Sequence, residues 1–531
     1  MASTSLPSSC CLPNPKGTHR WPSPSRPRRT APESTPRPGT LTVGVTVLTQ
    51  EVPAQQGEVL VVGHHLDPTT LDPFGTTTAA FQSVFAQIVE QLVVFDAERA
   101  VVRPWLATSW RWLNPTTLEM QLRRGVSFSN SEPFDAAAAR YSLELLFRAA
   151  PYSAWTQDLV RSVETAGSHT IRIRLVRPSA FLLPLLARGS FVVPPRHHQE
   201  VGPARFAQQP VGTGPFILSE WSKGARIVLD RNPRYWGGPH PLRQVIFRVI
   251  PDDSARVIAL QAGEIDVALN APITHLNRLK IDRNLKVIAA PGLRKFTSFF
   301  NTRLDTPLRD RRVRFAMNLA VDRVSIVQRV FGGQAQVLPG HWILPQEFGY
   351  NPNLKPFPFD PARARQLLAE AGFPNGFETQ LTYTVGRYPL DKELGEIVAG
   401  YLEAIGIRVR QRPVEYGEFL RLRSAGQLGP IHQWGLLVPP DAHFSYSLFT
   451  KGSIYRFHDY SDDWDDLIVR AASELDPCRR EAIYHRLAVI SHEDPFGIYL
   501  IAPGNLYAVR ANVRGLTPRF DEVLWLYGVA K

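Results

Sequence analysis

From residue 58 onward, short stretches with the two-residue period of a β-strand alternate with stretches that have the period of an α-helix. Residues 117–122 alternate apolar and polar side chains, which is typical of a strand with one buried face. Asp252 and Gly263 bracket a helical pattern as start and stop signals. Residues 81–92 place their apolar side chains on one helical face, and a further helix is predicted near 311–330. This mixture of strands and helices predicts an α/β fold.

The length and the cysteine content limit the classes of protein that are possible. The chain has 531 residues, which corresponds to about three to four domains of ordinary size. Its apolar runs, such as Phe181–Ala187, are far shorter than the ~18 residues of a spanning helix, so we do not expect an integral membrane protein. Cys10, Cys11 and Cys478 form neither a disulfide framework nor a zinc-ligand spacing, so stability must come from core burial.

The first 57 residues differ in composition from the rest of the chain. Residues 1–40 are rich in Pro, Ser, Thr and Arg and poor in aliphatic side chains, which predicts disorder. The apolar run Leu41–Leu48 follows basic residues at 28–37 and precedes small residues at 53–55, which is the order of a secretory signal. The run is short and lies far from Met1. Two interpretations stay open: an export signal behind a misplaced start site, or an unrelated tail.

Charge and motifs indicate a binding protein rather than an enzyme. The formal net charge is +12 and is diffuse, so it is interpreted as a solvated basic surface and not as a nucleic-acid interface. The sequence contains no G-x-S-x-G elbow, Walker loop or H-E-x-x-H motif, and we predict no catalytic residue, metal or cofactor. The pairs His64-His65 and His197-His198 are interpreted as polar loop residues, with a shared metal as the alternative.

Several short motifs follow one another in a fixed order over residues 58–531. The clearest is VGTGPF at 211–216, followed by Asn232-Pro233 and Tyr235-Trp236. The others are Leu71-Asp72-Pro73, PWLATSW at 104–110, LRRGVSF at 122–128, Pro133-Phe134-Asp135-Ala136, Gly263-Glu264-Ile265-Asp266, Phe300-Asn301-Thr302, DRRVRFA at 310–316, Asp322-Arg323, LLAEAGF at 367–373 and Gly406-Ile407. In this order the chain resembles the periplasmic substrate-binding proteins of the oligopeptide, dipeptide and nickel class (family 5) of ABC importers.

The resemblance implies a two-lobed periplasmic-binding-protein-like α/β fold with a hinge and a cleft between the lobes. The implied domains are a discontinuous first lobe (58–92, 207–290 and 500–531), a small domain inserted into it (93–206), a second lobe (291–499) and a tail (1–57). It further implies a periplasmic, monomeric receptor without cofactor or nucleic acid. Such a receptor captures a peptide or peptide-like solute and delivers it to the membrane permease of an ABC importer.

We expect the ligand contacts in loops that follow strands. The candidate residues are Leu71, Asp72 and Phe74 after the first strand, Arg387 and Tyr388 after Val385, the run Trp434, Gly435, Leu436 and Leu437, and Asp441. Trp434 offers a flat apolar surface for stacking, and a buried core position is the alternative.

One departure from the family bears on the ligand. Many peptide-binding relatives carry W-G-A-D-Y-P-D-P, whose first Asp receives the peptide's α-ammonium, and Leu437 stands at that position here. Since a buried ammonium without an anionic partner is costly, either Asp441 replaces the missing carboxylate or the ligand has no free ammonium there. We favour the second alternative, a blocked or modified peptide or a non-peptide solute.

Two other functions are compatible with the same resemblance. One is an intracellular regulator in which a solute-sensing domain is joined to a DNA-binding segment in residues 1–57, although these residues lack helical periodicity. The other is a peptide hydrolase, for which the sequence shows no nucleophile and base. The fold alone does not identify the ligand.

Overall fold

The structure, a computed structural model, describes residues 58–96, 100–460 and 463–531. The predicted tail and export signal in residues 1–57 lie outside the described residues. Within the described part of the chain, no helix is both long and apolar enough to cross a membrane.

A seven-stranded sheet, called the first sheet, collects strands from three separate parts of the chain. Its spatial order is Leu285–Ala290, Asn505–Arg510, Val267–Leu269, Glu58–His64, Leu242–Val249, Arg226–Arg231 and Phe216–Ser222. The central strand Glu58–His64 is parallel to both of its neighbours. Parallel strands end at the same edge of a sheet, so the residues that follow Glu58–His64 and Val267–Leu269 come together there.

A six-stranded sheet, called the second sheet, forms a separate layer. Its spatial order is Ala335–Val337, Gly497–Pro503, Lys295–Phe300, Ile431–Leu436, Glu378–Val385 and Arg408–Glu415. The strand Glu378–Val385 is parallel to both of its neighbours, so the loop after Val385 lies at the same edge as the residues after Leu436.

A small antiparallel sheet is formed by the part of the chain that lies between the strands Glu58–His64 and Phe216–Ser222 of the first sheet. Its order is Ala107–Asn114, Thr117–Leu122, Thr170–Leu175 and Val160–Thr165, and Val93–Phe95 pairs with Val102–Pro104 in a separate ribbon. The observed strand Thr117–Leu122 confirms the alternating pattern predicted at 117–122.

The helices alternate with these strands along the chain. They are Ala79–Phe85, Ala136–Arg148, Ser153–Thr156, Leu182–Gly189, Pro195–Phe206 (kinked at Gly202), Asp253–Ala262, Leu276–Ile281, Arg311–Leu319, Arg323–Ser325 with the π-helical Ile326–Val330, Pro361–Glu370, Asp391–Glu403, Tyr416–Ser424, Ala442–Tyr446, Asp463–Ser473 and Pro477–Glu493. Short 3-10 turns cover Ala150–Tyr152, Ile273–His275, Pro307–Arg309 and Ser447–Phe449. As predicted, the Asp252 carboxylate caps one helix and Gly263, at φ 80°, ends it.

The helix predicted over residues 81–92 is shorter than its apolar pattern suggests. It ends at Phe85, and beyond it the Ile88 carbonyl accepts a hydrogen bond from the Gly214 amide at 2.8 Å. A side chain on Gly212 would come within 2.0 Å of the same carbonyl oxygen. The glycines of the GTGP motif therefore allow two backbones to pack closely, and this contact replaces the continuation of the helix.

The helix predicted near 311–330 is also interrupted. It stops at Leu319, and the Asp322 side chain starts a new turn by accepting a hydrogen bond from the Ser325 amide at 2.9 Å. The buried Arg323 guanidinium donates to the Asn318 carbonyl at 2.8 Å and to the Val321 carbonyl at 3.1 Å. Side chains thus satisfy the carbonyls that the broken helix leaves free.

Three of the predicted domain boundaries can be placed relative to the observed strands and helices. The boundary at 290/291 separates Leu285–Ala290 of the first sheet from Lys295–Phe300 of the second, and 206/207 lies at the end of Pro195–Phe206. The boundary at 499/500 cuts through Gly497–Pro503, which belongs entirely to the second sheet.

Candidate functional site

The carboxyl ends of strands from both sheets border a cavity of about 50 Å³. His64, His65 and Asn270 reach it from the first sheet, and Arg387 and Tyr388 reach it from the second. The lining also includes Ala80, Ser83, Leu269, Arg294, Phe296, Pro389, Pro503, Gly504, Asn505, Tyr507 and Glu522. Ligands of α/β proteins commonly bind at this edge of a sheet, so the cavity is the candidate ligand site.

The loop that carries Arg387 and Tyr388 is held by a buried carboxylate. Asp391 accepts hydrogen bonds from the amides of Gly386 at 3.0 Å and of Arg387 and Tyr388 at 3.2 Å. Burial raises the pKa of Asp391, and these hydrogen bonds oppose the rise. Gly386, at φ 75°, permits the tight turn out of the strand. The loop is therefore shaped before any ligand binds.

Arg387 is the cation of the cavity that has no carboxylate partner. Its guanidinium carbon lies 5.1 Å from the ring centre of Tyr388 and 5.2 Å from that of Tyr416. No ion pair joins Arg387 to a carboxylate anywhere in 58–96, 100–460 or 463–531. A guanidinium with aromatic contacts alone keeps its paired donors free for a planar anion such as a carboxylate.

Arg294, by contrast, is fully paired. It donates from Nε to Glu522 Oε1 at 2.8 Å and from Nη2 to Glu522 Oε2 at 2.6 Å. Burial disfavours the charged guanidinium, but the Glu522 carboxylate outweighs burial, so the pKa of Arg294 is raised. This pair contributes no net charge to the cavity.

The remaining polar groups in the lining are neutral. Burial, helped by the neighbouring His64 and nearby arginines, holds the pKa of His65 well below its usual range, so the imidazole is uncharged. The Asn270 side-chain amide lies 3.1 Å from His65 Nε2. The Tyr507 hydroxyl is buried and has no hydrogen-bond partner in the described structure. A ligand would therefore meet one free cation and several neutral hydrogen-bonding groups.

The residues predicted after the first strand do not reach this cavity. Leu71 is fully buried in the core, and its amide donates to the Ala207 carbonyl at 3.0 Å. The Asp72 carboxylate accepts from the Phe74 amide at 2.9 Å and closes a local turn, and the Phe74 ring is buried. Their sequence position after a strand was correct, but the turn directs their side chains into packing.

The segment Trp434–Leu437 lies against the core. Trp434 is only 2% exposed, with its ring stacked on Tyr455 at 5.7 Å, so it occupies the alternative core position. Leu436 and Leu437 are half-buried and pack on the same core. The Gly435 carbonyl accepts from Arg294 Nη1 at 3.3 Å, which links this strand to the cavity wall.

Asp441 is already occupied by another residue of the chain. Its two carboxylate oxygens accept from Arg480 Nη1 at 2.8 Å and Nη2 at 2.7 Å, and both side chains are buried. Asp441 also accepts from the His443 amide at 2.9 Å and so starts the helix Ala442–Tyr446. Asp441 is absent from the cavity lining.

Sequence reasoning missed most of the lining, including Arg294, Tyr507 and Glu522. Nothing local marks these residues, because Arg294 and Glu522 are 228 positions apart and meet only in the folded chain. The loop prediction for the His64-His65 pair is wrong for His64, which ends the strand Glu58–His64. The loop interpretation was also wrong for His197 and His198, which lie in the helix Pro195–Phe206.

A second set of contacts joins residues 155–181 to the helical segments of residues 442–473. The Phe181 ring stacks on the His443 imidazole with ring centres 3.9 Å apart. The Ala180 amide donates to the Ala472 carbonyl at 3.0 Å, and Trp155 Nε1 donates to Ser447 Oγ at 3.3 Å. Burial holds the pKa of His443 well below its usual range, so the stacked imidazole is neutral.

Comparison with known proteins identifies the class. Residues 101–456 match the model of the bacterial extracellular solute-binding proteins, family 5 (middle). The chain belongs to this family, which confirms the resemblance found in the sequence. It is 27% identical to heme-binding protein A of Haemophilus influenzae over 76% of this chain and 80% of that protein. It is 25% identical to the dipeptide-binding protein of Escherichia coli K12 over 90% of this chain and 95% of that protein.

Solved structures confirm the fold. The periplasmic binding protein DppA of Helicobacter pylori, in complex with the peptide STSA, superposes with a TM-score of 0.79 at 28% identity over 89% of this chain and 98% of that one. NikA of Brucella suis, in complex with Fe(III)-EDTA, superposes with a TM-score of 0.79 at 26% identity, over 88% of this chain and 98% of that one. The protein is thus a solute-binding protein with the two-lobed periplasmic-binding-protein fold.

Proposed function

We propose that this protein is an extracytoplasmic receptor that captures a peptide-like solute carrying a carboxylate in the cavity between its lobes. The observation that carries this proposal is the free Arg387 guanidinium in a cavity lined by both lobes. The solute is then delivered to the membrane permease of an ABC importer, as the family resemblance implies.

The same cavity favours a solute without a free ammonium. Leu437 cannot pair with a cation, and Asp441 is held by Arg480. Glu522, the carboxylate in the lining, is held by Arg294. A ligand ammonium would therefore enter a buried site without an anionic partner, which is costly. An N-blocked or otherwise modified peptide, or a non-peptide acid, avoids this cost.

The domain division that we propose follows the sheets. The first lobe comprises 58–92, 207–290 and about 504–531, the inserted domain 93–206, and the second lobe 291–503, so that Gly497–Pro503 stays with its own sheet. Arg294 and Gly504 lie where the chain passes between the lobes and also line the cavity. Rotation about these two crossings would open the cavity to a solute. We further propose a periplasmic, monomeric receptor.

The charge of Arg387 is expected to control binding. With N-acetyl-Ala-Ala as the probe, Arg387→Gln should weaken the affinity about 10- to 100-fold, because a hydrogen-bonded carboxylate loses its cationic partner. Unmodified Ala-Ala should bind the native protein more weakly than the acetylated probe. Isothermal titration calorimetry measures both differences.

The matched control is Arg410→Gln, which removes the same charge from an exposed position of the strand Arg408–Glu415. This variant should bind like the native protein. Tight binding of Ala-Ala that acetylation abolishes would contradict the proposed ligand class, and unchanged affinity in Arg387→Gln would contradict the proposed site.

The stack of Phe181 on His443 is expected to favour the closed arrangement of the lobes. Ala180→Cys and Ala472→Cys place two thiols at residues whose main chains share a hydrogen bond of 3.0 Å, so a disulfide between them reports that the two segments are in contact. With the three native cysteines replaced by serine, this pair should oxidise readily. Adding Phe181→Ala should slow disulfide formation about three- to tenfold, since one aromatic pair is lost.

The control for this experiment is Trp112→Ala, which removes an aromatic side chain from the small sheet itself. It should leave the oxidation rate unchanged. Equal rates with and without Phe181 would show that the stack does not contribute to closure.

A further inference from the structure

We propose that Glu522 determines the charge of the ligand that the cavity accepts, because it occupies Arg294 and leaves Arg387 as the single free cation among the described residues that line the cavity. This inference rests on the proposed function, since it concerns the same cavity. The inference adds two points to the proposed function. A native ligand presents one carboxylate to the cavity, and Glu522 sets this preference for one carboxylate.

Two guanidinium groups flank one aromatic ring in the cavity. The guanidinium carbons of Arg294 and Arg387 lie 5.0 Å and 5.1 Å from the ring centre of Tyr388. Without further residues, this arrangement would offer two adjacent sites for planar anions. The two arginines differ in their partners, because only Arg294 has a carboxylate.

Glu522 fills one of these anion sites with the geometry of a bound carboxylate. Both of its oxygens accept hydrogen bonds from Arg294, at 2.8 Å and 2.6 Å. The side chains of Arg294 and Glu522 are only 14% and 23% exposed, so solvent screens the pair weakly. Glu522 thus stands in for the second carboxylate that a ligand would otherwise supply.

The backbone of Glu522 is held in an unusual conformation. Its φ is 62°, in the left-handed region that disfavours residues with a side chain. The adjacent Asp521 is buried and paired with Arg519, and the Glu522 amide donates to the Arg519 carbonyl at 3.3 Å. Strained residues that their surroundings hold in place occur preferentially at ligand sites, which agrees with a role in recognition.

Arg294 would remain in the cavity without Glu522. Its Nη1 donates to the Gly435 carbonyl at 3.3 Å, and its guanidinium faces Tyr388. Removing the Glu522 charge should therefore create a site with two free guanidinium groups. Conversely, removing Arg294 should release a carboxylate that is able to receive a ligand ammonium.

The test compares two variants with probes that differ in one charge. Glu522→Gln keeps the shape of the side chain, and its affinity for N-acetyl-Ala-Glu relative to N-acetyl-Ala-Ala should rise at least tenfold over the native ratio. Arg294→Gln should bind unmodified Ala-Ala at least tenfold more tightly than the native protein does. Glu378→Gln, which removes an exposed carboxylate of the second sheet, should change neither preference. Titration calorimetry measures the affinities, and circular dichroism verifies folding.

Either variant alone is sufficient for the test if the other does not fold. A folded Glu522→Gln protein that binds no N-acetyl-Ala-Glu, or binds the two probes in the native ratio, would overturn the proposal. So would a folded Arg294→Gln protein with native affinity for Ala-Ala. If Arg387→Gln still weakens binding of N-acetyl-Ala-Ala about 10- to 100-fold in such a case, the proposed function stands and only the role of Glu522 is refuted.

Discussion

Glu347→Gln is expected to lower the free energy of unfolding by about 3–5 kcal/mol, because it leaves a buried ammonium without its partner. Lys295 Nζ lies 2.7 Å from Glu347 Oε1, and both side chains are completely buried in the second lobe. The Ser445 hydroxyl, 3.1 Å from the ammonium, is too weak an acceptor to replace the carboxylate. Burial lowers the pKa of Lys295 and raises that of Glu347, and the close contact opposes both shifts.

Urea denaturation followed by tryptophan fluorescence measures this loss. The control is Glu378→Gln, which breaks the exposed pair with Arg408 and should hardly change the unfolding midpoint. A Glu347→Gln protein as stable as this control would show that the buried pair does not hold the second lobe together.

Stability is expected to fall as the pH rises from about 4.5 to about 7, because Glu90 is buried. Burial raises the pKa of this carboxyl to about 7, while hydrogen bonds from the indoles of Trp236 and Trp105 and from the Tyr235 hydroxyl oppose the rise. In this pH range the folded protein keeps a proton that the unfolded chain has released. The stabilisation from that proton is complete below pH 4.5 and is lost above pH 7. The total loss is about 3 kcal/mol.

The measurement is the free energy of unfolding at pH 5, 6, 7 and 8 for the native protein and Glu90→Gln. The variant carries no titrating group at this position, so this part of the pH dependence should disappear. An identical pH dependence in both proteins would contradict the assignment of this loss to Glu90.

Local sequence patterns predicted one strand and the ends of one helix correctly, because these depend on neighbouring residues. Strand Thr117–Leu122 has the predicted bounds, and Gly263 ends its helix as expected. The pattern from Phe81 to Leu92 was misleading, since the close approach of Gly212 and Gly214 to the following backbone stops the helix. A periodic pattern records which side chains are buried, but not which partner covers them.

The candidate site was less predictable than the fold. Arg387 and Tyr388 follow a strand and line the cavity, whereas Leu71, Asp72 and Phe74 follow a strand and do not line it. The two loops differ because hydrogen bonding and packing within the loop after the first strand occupy the side chains of Leu71, Asp72 and Phe74. Asp441 shows the same limit, because its carboxylate pairs with Arg480, 39 residues further along the chain.

The departure at Leu437 was readable from the sequence, but its consequence needed the structure. Only the folded chain shows that both carboxylates that might replace the missing Asp are already paired, Asp441 with Arg480 and Glu522 with Arg294. The ligand class proposed here therefore depends on tertiary contacts.

The central claim is that a carboxylate-bearing solute is bound between the lobes through Arg387. Native mass spectrometry of the protein, purified rapidly and without dialysis, tests it most directly. We expect one small acidic molecule per chain in the native protein and little or none in Arg387→Gln purified in the same way. The claim would be contradicted by the same adduct in both proteins. It would also be contradicted by a native protein that carries no adduct even after incubation with an extract of cellular solutes.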